Sequence, residues 1–415
     1  MGTNRRNFLK SLCAGGAAAG LRLPMAHAED YSGKVLAVIQ ADGGWDPTSF
    51  CDPKPNVPGE PVINHWAEND EVRQAGNIHY APFADNERFF EKHWDRMLVI
   101  NGVDAQTNSH SVGVVHNFSG RNAEGYPSLT ALMAGHSAPA LPAAYLTFGG
   151  FSYPAGIVRP TRLGGAGLIQ NIANPADAYH NGSRFLSESD WSALEQHVSA
   201  TAARLAANPN LLEADRRRLE AYRAAHRAEG LGAFADALAS ADFANGLRRH
   251  AQQAILAFRT GVAVSADLWM GGFDTHNDHD DQSAPRLSEL TNGVDYLWDF
   301  AEEQGVADRL VVVIGSDFGR TNYYNASDGK DHWPIGSAIV MEKSQTWTNR
   351  AVGATNPLHF AQRVNPSTLE PDHREGSIIH PKHVHKALRR YLGIEESAGS
   401  LRYPLNNTED FAFFG

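Results

Sequence analysis

The sequence contains little cysteine and no dinucleotide-binding glycine fingerprint. Two cysteines occur in 415 residues. One of them, Cys13, lies in a segment that we expect to be removed, which leaves Cys51 alone. An intrachain disulfide in the mature protein and an iron–sulfur cluster held by a set of cysteines are therefore excluded. Because no G-x-G-x-x-G motif is present, a nicotinamide or flavin enzyme is disfavoured as well.

Basic residues are outnumbered by acidic ones. The chain has 36 Lys and Arg against 47 Asp and Glu, a net charge of −11. Residues 1–28 hold basic residues and no acidic ones, so their removal changes the net charge from −11 to −15. This balance argues against nucleic acid or an anionic membrane as a partner. An anionic small substrate remains compatible, since a bound cation inverts the local field.

The chain also lacks an apolar run long enough to form a convincing membrane span. Its start instead resembles a twin-arginine export signal, with Arg5-Arg6 in the segment 3–10, a short Gly/Ala-rich stretch, and the cleavage pattern Ala26-His27-Ala28. We therefore predict a twin-arginine signal peptide over residues 1–28 and the twin-arginine export machinery as a partner. The mature bacterial protein is expected in the periplasm or outside the cell, with no stable membrane span after cleavage.

Short apolar runs alternate with amphipathic segments along the rest of the chain. This alternation predicts one α/β domain over residues 29–415, with a mainly parallel sheet and helices on both faces. Residues 187–260 are predicted to form an inserted helical segment that covers the site. The strands are expected at residues 34–40, 96–101, 263–270, 310–315 and 336–341, and further helices at 211–229, 234–259, 287–303 and 382–392.

Carboxylates and imidazoles follow several of these predicted strands. Ligand sites in open α/β sheets lie at the carboxyl ends of the strands, and both ligand types suit zinc, manganese or iron. We therefore predict a site for one or two divalent ions. The candidate ligands are Asp46, Asp274, His276, Asp317 and His332. Asp42, His110 and His279 remain alternatives, and Asp331 is expected to orient His332.

A group of short motifs resembles a known family. They are Gly43-Gly44-Trp45-Asp46, Asn108-Ser109-His110, Phe273-Asp274-Thr275-His276, Ser316-Asp317-Phe318-Gly319-Arg320-Thr321 and Asp331-His332. Their order resembles that of the "domain of unknown function 1501" family, which in turn resembles the alkaline phosphatase/sulfatase superfamily. The resemblance covers nearly the whole mature chain. It implies an alkaline-phosphatase-like architecture, with Ser109 as the nucleophile and the five candidate ligands above around metal.

The resemblance implies an exported, metal-dependent hydrolase of phosphate or sulfate esters. Its substrate would be an anionic small-molecule or glycan ester, and the guanidinium of Arg320 could bind two of the ester's free oxygens. Phe318 departs from the pattern, because a histidine is usual there. The departure favours the alternative of a non-catalytic, exported metal-, glycan- or lipid-binding protein of the cell envelope on the same fold.

Overall fold

The computed structural model describes residues 31–164, 186–213 and 230–415, together with isolated positions between 169 and 184 and between 215 and 222. The predicted signal peptide at residues 1–28 lies outside the described residues. Most of the helix expected at 211–229 lies outside them as well.

An eight-stranded sheet forms the centre of the described chain. Its strands are β1 (Val35–Ala41), β2 (Met97–Asp104), β3 (Tyr145–Thr147), β4 (Pro160–Arg162), β5 (Ser265–Met270), β6 (Leu310–Ser316), β7 (Ile335–Met341) and β8 (Arg350–Val352). Their order across the sheet is β8-β2-β7-β6-β1-β5-β3-β4. Strand β7 is antiparallel to both of its neighbours, and all other pairings are parallel. The predicted mainly parallel α/β sheet is confirmed.

The central strands are apolar throughout because both faces of the sheet are covered. All residues of β1 are buried. Val35, Ala37 and Ile39 point into one apolar core, whereas Leu36 and Val38 point into another. Continuous apolar runs of this kind are typical of strands in a sheet that has helices on each side.

Nine helices of at least five residues are described. They are α1 (Asn86–His93), α2 (His110–Ser119), α3 (Leu129–Ser137), α4 (Glu188–Ala206), α5 (Leu231–Ser240), α6 (Gly246–Arg259), α7 (His279–Glu303), α8 (Pro381–Tyr391) and α9 (Ala398–Arg402). Helices α1, α5, α6 and α7 contribute to one core, and α2, α3 and α8 to the other. Helices therefore lie on both faces, as predicted. No helix in the described part of the chain combines the length and apolar character needed to cross a bilayer.

The helical segment differs from its prediction in two respects. The helix expected at 234–259 is interrupted, because the Gln252 side chain bonds the backbone of Asp242 and Ala244 and so holds a turn between α5 and α6. The last part of the segment also belongs to the core of the domain. Helix α6 buries residues such as Ile255 and Phe258 in the core and packs against β5 and α7.

The sheet brings distant polar residues to one edge. Strands β1, β2, β5 and β6 run in the same direction, so their carboxyl ends meet there, and the reversed strand β7 begins at that edge. Asp42, Asp274 and Asp317 follow β1, β5 and β6, His110 follows β2, and His332 precedes β7. This is the edge at which open α/β sheets hold their ligands.

Candidate metal centre

Three imidazoles surround one carboxylate oxygen at this edge. The Nε2 atoms of His110, His276 and His332 lie 3.3, 3.0 and 3.2 Å from Oδ1 of Asp274. Nε2 of His332 is also 3.0 Å from Nε2 of His110 and 2.9 Å from Nε2 of His276. We refer to His110, Asp274, His276 and His332 as the His/Asp cluster. It unites three of the predicted ligands with His110, which the sequence offered only as an alternative.

The other nitrogen of each imidazole contacts a hydrogen-bond acceptor. Nδ1 of His110 lies 2.5 Å from Asp317 Oδ2, and Nδ1 of His276 lies 2.7 Å from Asp331 Oδ1. Nδ1 of His332 lies 2.8 Å from the carbonyl oxygen of Asn108. Because carboxylates and carbonyls accept hydrogen bonds, each Nδ1 carries a proton, and Nε2 is the nitrogen available to an ion. Asp331 thus orients His276 and not His332, which corrects the prediction.

The residues of the cluster fit a divalent metal ion. Ligand atoms bonded to one first-row ion at about 2.0–2.2 Å lie roughly 3 Å or slightly more from one another. His110, Asp274 and His332 have such separations and form a set whose ligand atoms all lie within 4.8 Å of one another. Imidazoles whose second nitrogen is held by a carboxylate or carbonyl are the usual arrangement around protein-bound metals. The four side chains are 23–47% exposed, so a ligand from solvent can reach them.

Electrostatics keep the carboxylate of the cluster ionised. Burial alone would raise the pKa of Asp274, but the hydrogen bond and charge of Arg320, with contributions from His332 and His110, lower it to about 2. The hydrogen bond to Asp317 raises the pKa of His110, although burial acts in the opposite direction. At neutral pH Asp274 therefore presents a negatively charged oxygen to the three imidazoles.

Phe318 lies beneath the cluster. Its ring centroid is 4.7 Å from that of His110 and 4.7 Å from that of His332. The residue that departs from the family pattern thus supports two imidazoles, and His110 supplies an imidazole from the start of α2. Asp42 lies beside the cluster, and burial followed by the charge of Asp317 raises its pKa.

Asp317 has a different place from the one predicted. Its carboxylate is buried, and Oδ1 accepts hydrogen bonds from the backbone N–H groups of Gly43 and Gly44 and from Ser316 Oγ. Oδ2 faces Nδ1 of His110. Since its oxygens are already engaged, Asp317 positions His110 instead of serving as the predicted ligand.

Arg320 is also directed inward, not toward a substrate. Its side chain is fully buried and donates to the carbonyl oxygens of Gly43, Gly44 and Lys330 and to Asp274 Oδ1. The guanidinium predicted to bind the substrate anion therefore connects the loop after β1 to Asp274. It holds the ligand carboxylate in place.

Asp46 lies outside the His/Asp cluster, contrary to the prediction. Its buried Oδ2 is 2.7 Å from Nζ of Lys330 and 3.2 Å from Nε2 of His279. The Lys330 ammonium also donates to Asn64 Oδ1 at 2.8 Å. We refer to Asp46, Asn64, His279 and Lys330 as the Lys330 cluster. Asp46 is therefore held in a buried ion pair with Lys330, apart from the His/Asp cluster.

Ser109 occupies the N-cap position of α2, immediately before His110. It is exposed, its side chain makes no capping hydrogen bond, and its hydroxyl lies 3.2 Å from that of Ser111. Its role as a nucleophile stays a prediction.

The comparisons with known proteins identify a family. The family model described as "Protein of unknown function (DUF1501)" matches residues 34–373. No curated protein matches the chain.

Several solved structures are similar in overall arrangement. One is the PsFucS1 sulfatase from Pseudoalteromonas sp., with 10% identity over 92% of this chain and 71% of that chain and a TM-score of 0.41. The lipoteichoic acid synthase LtaP from Listeria monocytogenes has 10% identity over 88% and 73%, with a TM-score of 0.35. BT4656, solved with its substrate D-glucosamine-2-N,6-O-disulfate, has 9% identity over 92% and 81%, with a TM-score of 0.37.

Proposed function

This chain belongs to the family described as "Protein of unknown function (DUF1501)", and on that premise we propose that it is a metal-dependent hydrolase of phosphate or sulfate esters. The observation that carries the proposal is the orientation of three imidazoles. Their Nδ1 atoms are held by Asp317, Asp331 and the Asn108 carbonyl, while their Nε2 atoms converge on Asp274. Such a set of lone pairs suits one zinc, manganese or iron ion.

The chain's own residues would divide the work between holding the ion and binding the ester. His110, Asp274 and His332 would hold a single ion, and His276 lies against Asp274 and His332 beside it. The ion would supply Lewis acidity and neutralise negative charge that develops on an ester oxygen. Arg320 and Asp317 would fix the orientation of two of these ligands. Exposure of the cluster gives an anionic small-molecule or glycan ester access to the site.

Ser109 would act as the nucleophile. Its Oγ would form a bond to phosphorus or sulfur while the bond to the alcohol oxygen breaks, with the hydroxyl proton released to solvent and the alcohol oxygen protonated from solvent. Water would then release phosphate or sulfate and regenerate the serine. The support for this role is the place of Ser109 in the chain, next to His110 at an exposed helix start.

Elemental analysis and ester hydrolysis test the proposal together. The full chain should contain about one equivalent of zinc, manganese or iron and hydrolyse phosphate or sulfate esters. Asp274→Ala and His332→Ala should lose metal affinity by more than the ~10–100-fold typical of an outer partner, and lose turnover with it. Ser109→Ala should keep the metal and lose turnover.

His79→Ala is the matched control, because His79 is exposed and lies outside the cluster. It should leave both the metal content and hydrolysis unchanged. Absence of metal from the unaltered chain, even after addition of zinc, manganese or iron, would contradict the proposal.

A non-catalytic role is the second candidate, and one observation favours it. Arg320, the cation expected to bind the ester anion, donates to backbone carbonyls and to Asp274. In this role the chain would bind metal and a glycan or lipid, and it would hydrolyse no ester. Metal content together with the absence of turnover separates the two candidates.

Export by the twin-arginine machinery is part of the proposal. Its support is the segment Arg5-Arg6 to Ala28. N-terminal sequencing of protein recovered from the periplasm should start at Glu29, and substitution of Arg5 and Arg6 by Lys should retain the precursor inside the cell.

A further inference from the structure

A cavity of about 390 Å³ opens beside the His/Asp cluster. His110 lines it and also belongs to the cluster, so whatever fills this space touches the same imidazole that would hold the metal. Its size falls within the ~300–1,000 Å³ range of small-molecule sites, near the lower end. The cavity is therefore large enough for the non-reacting part of a small ester.

Two carboxylates line this cavity. They belong to Asp42 and Glu124, and none of the described residues that line the cavity is Lys or Arg. Carboxylates accept hydrogen bonds from hydroxyl and ammonium groups, and they repel phosphate, sulfate and carboxylate groups. A second anionic group on the ligand would therefore be disfavoured here.

Two aromatic side chains contribute to the apolar part of the wall, together with Val114 and Val115. Trp269 lies on β5 and is partly exposed. The backbone of Gly150 packs against its ring, since a Cβ added to Gly150 would lie 2.6 Å from Cδ1 of Trp269. Phe151 packs against the buried ring of Phe118, with ring centroids 5.8 Å apart. Fixed aromatic faces with nearby polar groups suit a ring that has both C–H faces and hydroxyl groups.

We propose that this acidic aromatic cavity binds the leaving group of the ester, and that this group is a sugar ring with hydroxyl or amine groups and no second anionic group. The inference rests on the proposed function for the reaction at the cluster. It goes further by stating which esters are accepted. A monoester of a neutral or amine-bearing sugar fits, whereas a ring that carries several sulfates, phosphates or carboxylates does not.

Binding to the metal-free full chain tests the cavity without requiring turnover. Saturation-transfer NMR with glucosamine, glucose and glucuronate as probes should show binding of glucosamine and glucose, with glucuronate at least about tenfold weaker. Glu124→Gln should reduce the discrimination against glucuronate about threefold or more. Trp269→Ala should weaken all three probes.

Glu87→Gln is the control, since it removes one exposed carboxylate outside the cavity. It should leave the preference among the three probes unchanged. Equal binding of all three probes, or no binding of any of them, would overturn the inference.

Turnover separates this inference from the proposed function. Sugar binding that depends on Glu124, with no ester hydrolysed, would support the cavity assignment and contradict the proposed hydrolase activity. Hydrolysis without any preference between a singly and a multiply anionic sugar ester would support the proposed hydrolase activity and contradict the cavity assignment.

Discussion

The His/Asp cluster and the Lys330 cluster each place a carboxylate beside imidazole at the same edge of the sheet, and they differ in burial and in the number of imidazoles. In the Lys330 cluster, Asp46 and Lys330 have side chains no more than 1% exposed, and the ammonium lies 2.7 Å from the carboxylate. In the His/Asp cluster, the imidazole Nε2 atoms face Asp274 and solvent can enter. Each carboxylate contacts a cation of the chain at 2.7 Å, Lys330 for Asp46 and Arg320 for Asp274. Burial and the number of converging imidazoles therefore separate the two clusters.

The pKa shifts of the two carboxylates, Asp46 and Asp274, have the same direction and do not distinguish the two clusters. Burial would raise the pKa of Asp46, but Lys330 and His279 hold it well below its ordinary value. The pKa of Asp274 is likewise lowered, to about 2, by Arg320 against the effect of burial. Both carboxylates are ionised at neutral pH. What separates them is how many imidazoles surround the carboxylate, together with access from solvent.

The largest expected effect is on the Lys330 cluster. Lys330→Met leaves the Asp46 carboxylate buried without its cation, and we expect a loss of about 3–5 kcal/mol in the free energy of unfolding, measured by urea denaturation. Addition of Asp46→Asn to that variant should recover part of the loss. Lys92→Met, at an exposed ion pair with Asp299, should cost less than about 1 kcal/mol. A loss as small as that in Lys330→Met would contradict the description of Lys330 and Asp46 as a buried ion pair.

The next effect concerns the orientation of a ligand in the His/Asp cluster. Asp331→Ala removes the acceptor 2.7 Å from Nδ1 of His276. We expect metal affinity, measured by competition with a chelator, to fall about 10–100-fold while the metal-free protein keeps its stability. The control is Asp328→Ala, an exposed carboxylate of the same loop that contacts His65. Equal affinities in the two variants would contradict the role given to Asp331.

The smallest effect concerns Asp267 on β5, a buried carboxyl with no cation beside it. Burial raises its pKa to about 7, although hydrogen bonds from Tyr145 and Thr130 act in the opposite direction. Since the folded pKa lies above the unfolded one, its contribution to stability is complete below the unfolded pKa and is lost as the pH rises through about 7. Between pH 6 and 8.5 the loss should be about 1 kcal/mol.

Urea denaturation at several pH values checks this expectation. Asp267→Asn keeps an oxygen that can accept from Tyr145 or Thr130 and has no charge to desolvate. Its stability should change less between pH 6 and 8.5 than that of the unaltered chain. An identical pH dependence in the two proteins would show that Asp267 does not titrate in this range.

The central strands could be predicted because strands buried on both faces appear in the sequence as continuous apolar runs. The runs at 34–40 and 310–315 correspond to β1 and β6. The three-residue strands β3 and β4 have no such signal, since their pairing with β5 and with each other is set by tertiary contacts. The break between α5 and α6 depends on the Gln252 side chain, which local propensity does not describe.

The site could be predicted in part for a related reason. Asp274, His276 and His332 lie next to strand ends that the sheet brings together, and the apolar runs of these strands can be seen in the sequence. The place of Asp46 depends on Lys330, which is 284 residues away along the chain. The directions of Arg320 and Asp317 depend on Gly43 and Gly44, which also lie far away in the sequence. Pairings between such distant residues leave no periodic signal.

The reversal of β7 has a further consequence for assembly of the centre. It places Nε2 of His332 next to Nε2 of His110, which is 222 positions earlier in the chain, and next to Nε2 of His276, which is 56 positions earlier. An ion bound to these atoms would act as a cross-link between three separate parts of the chain. The unfolded chain cannot bring these atoms together without a large loss of loop entropy. If the cluster binds an ion as proposed, metal affinity and global folding would form one linked equilibrium, and titration with metal would report on tertiary structure.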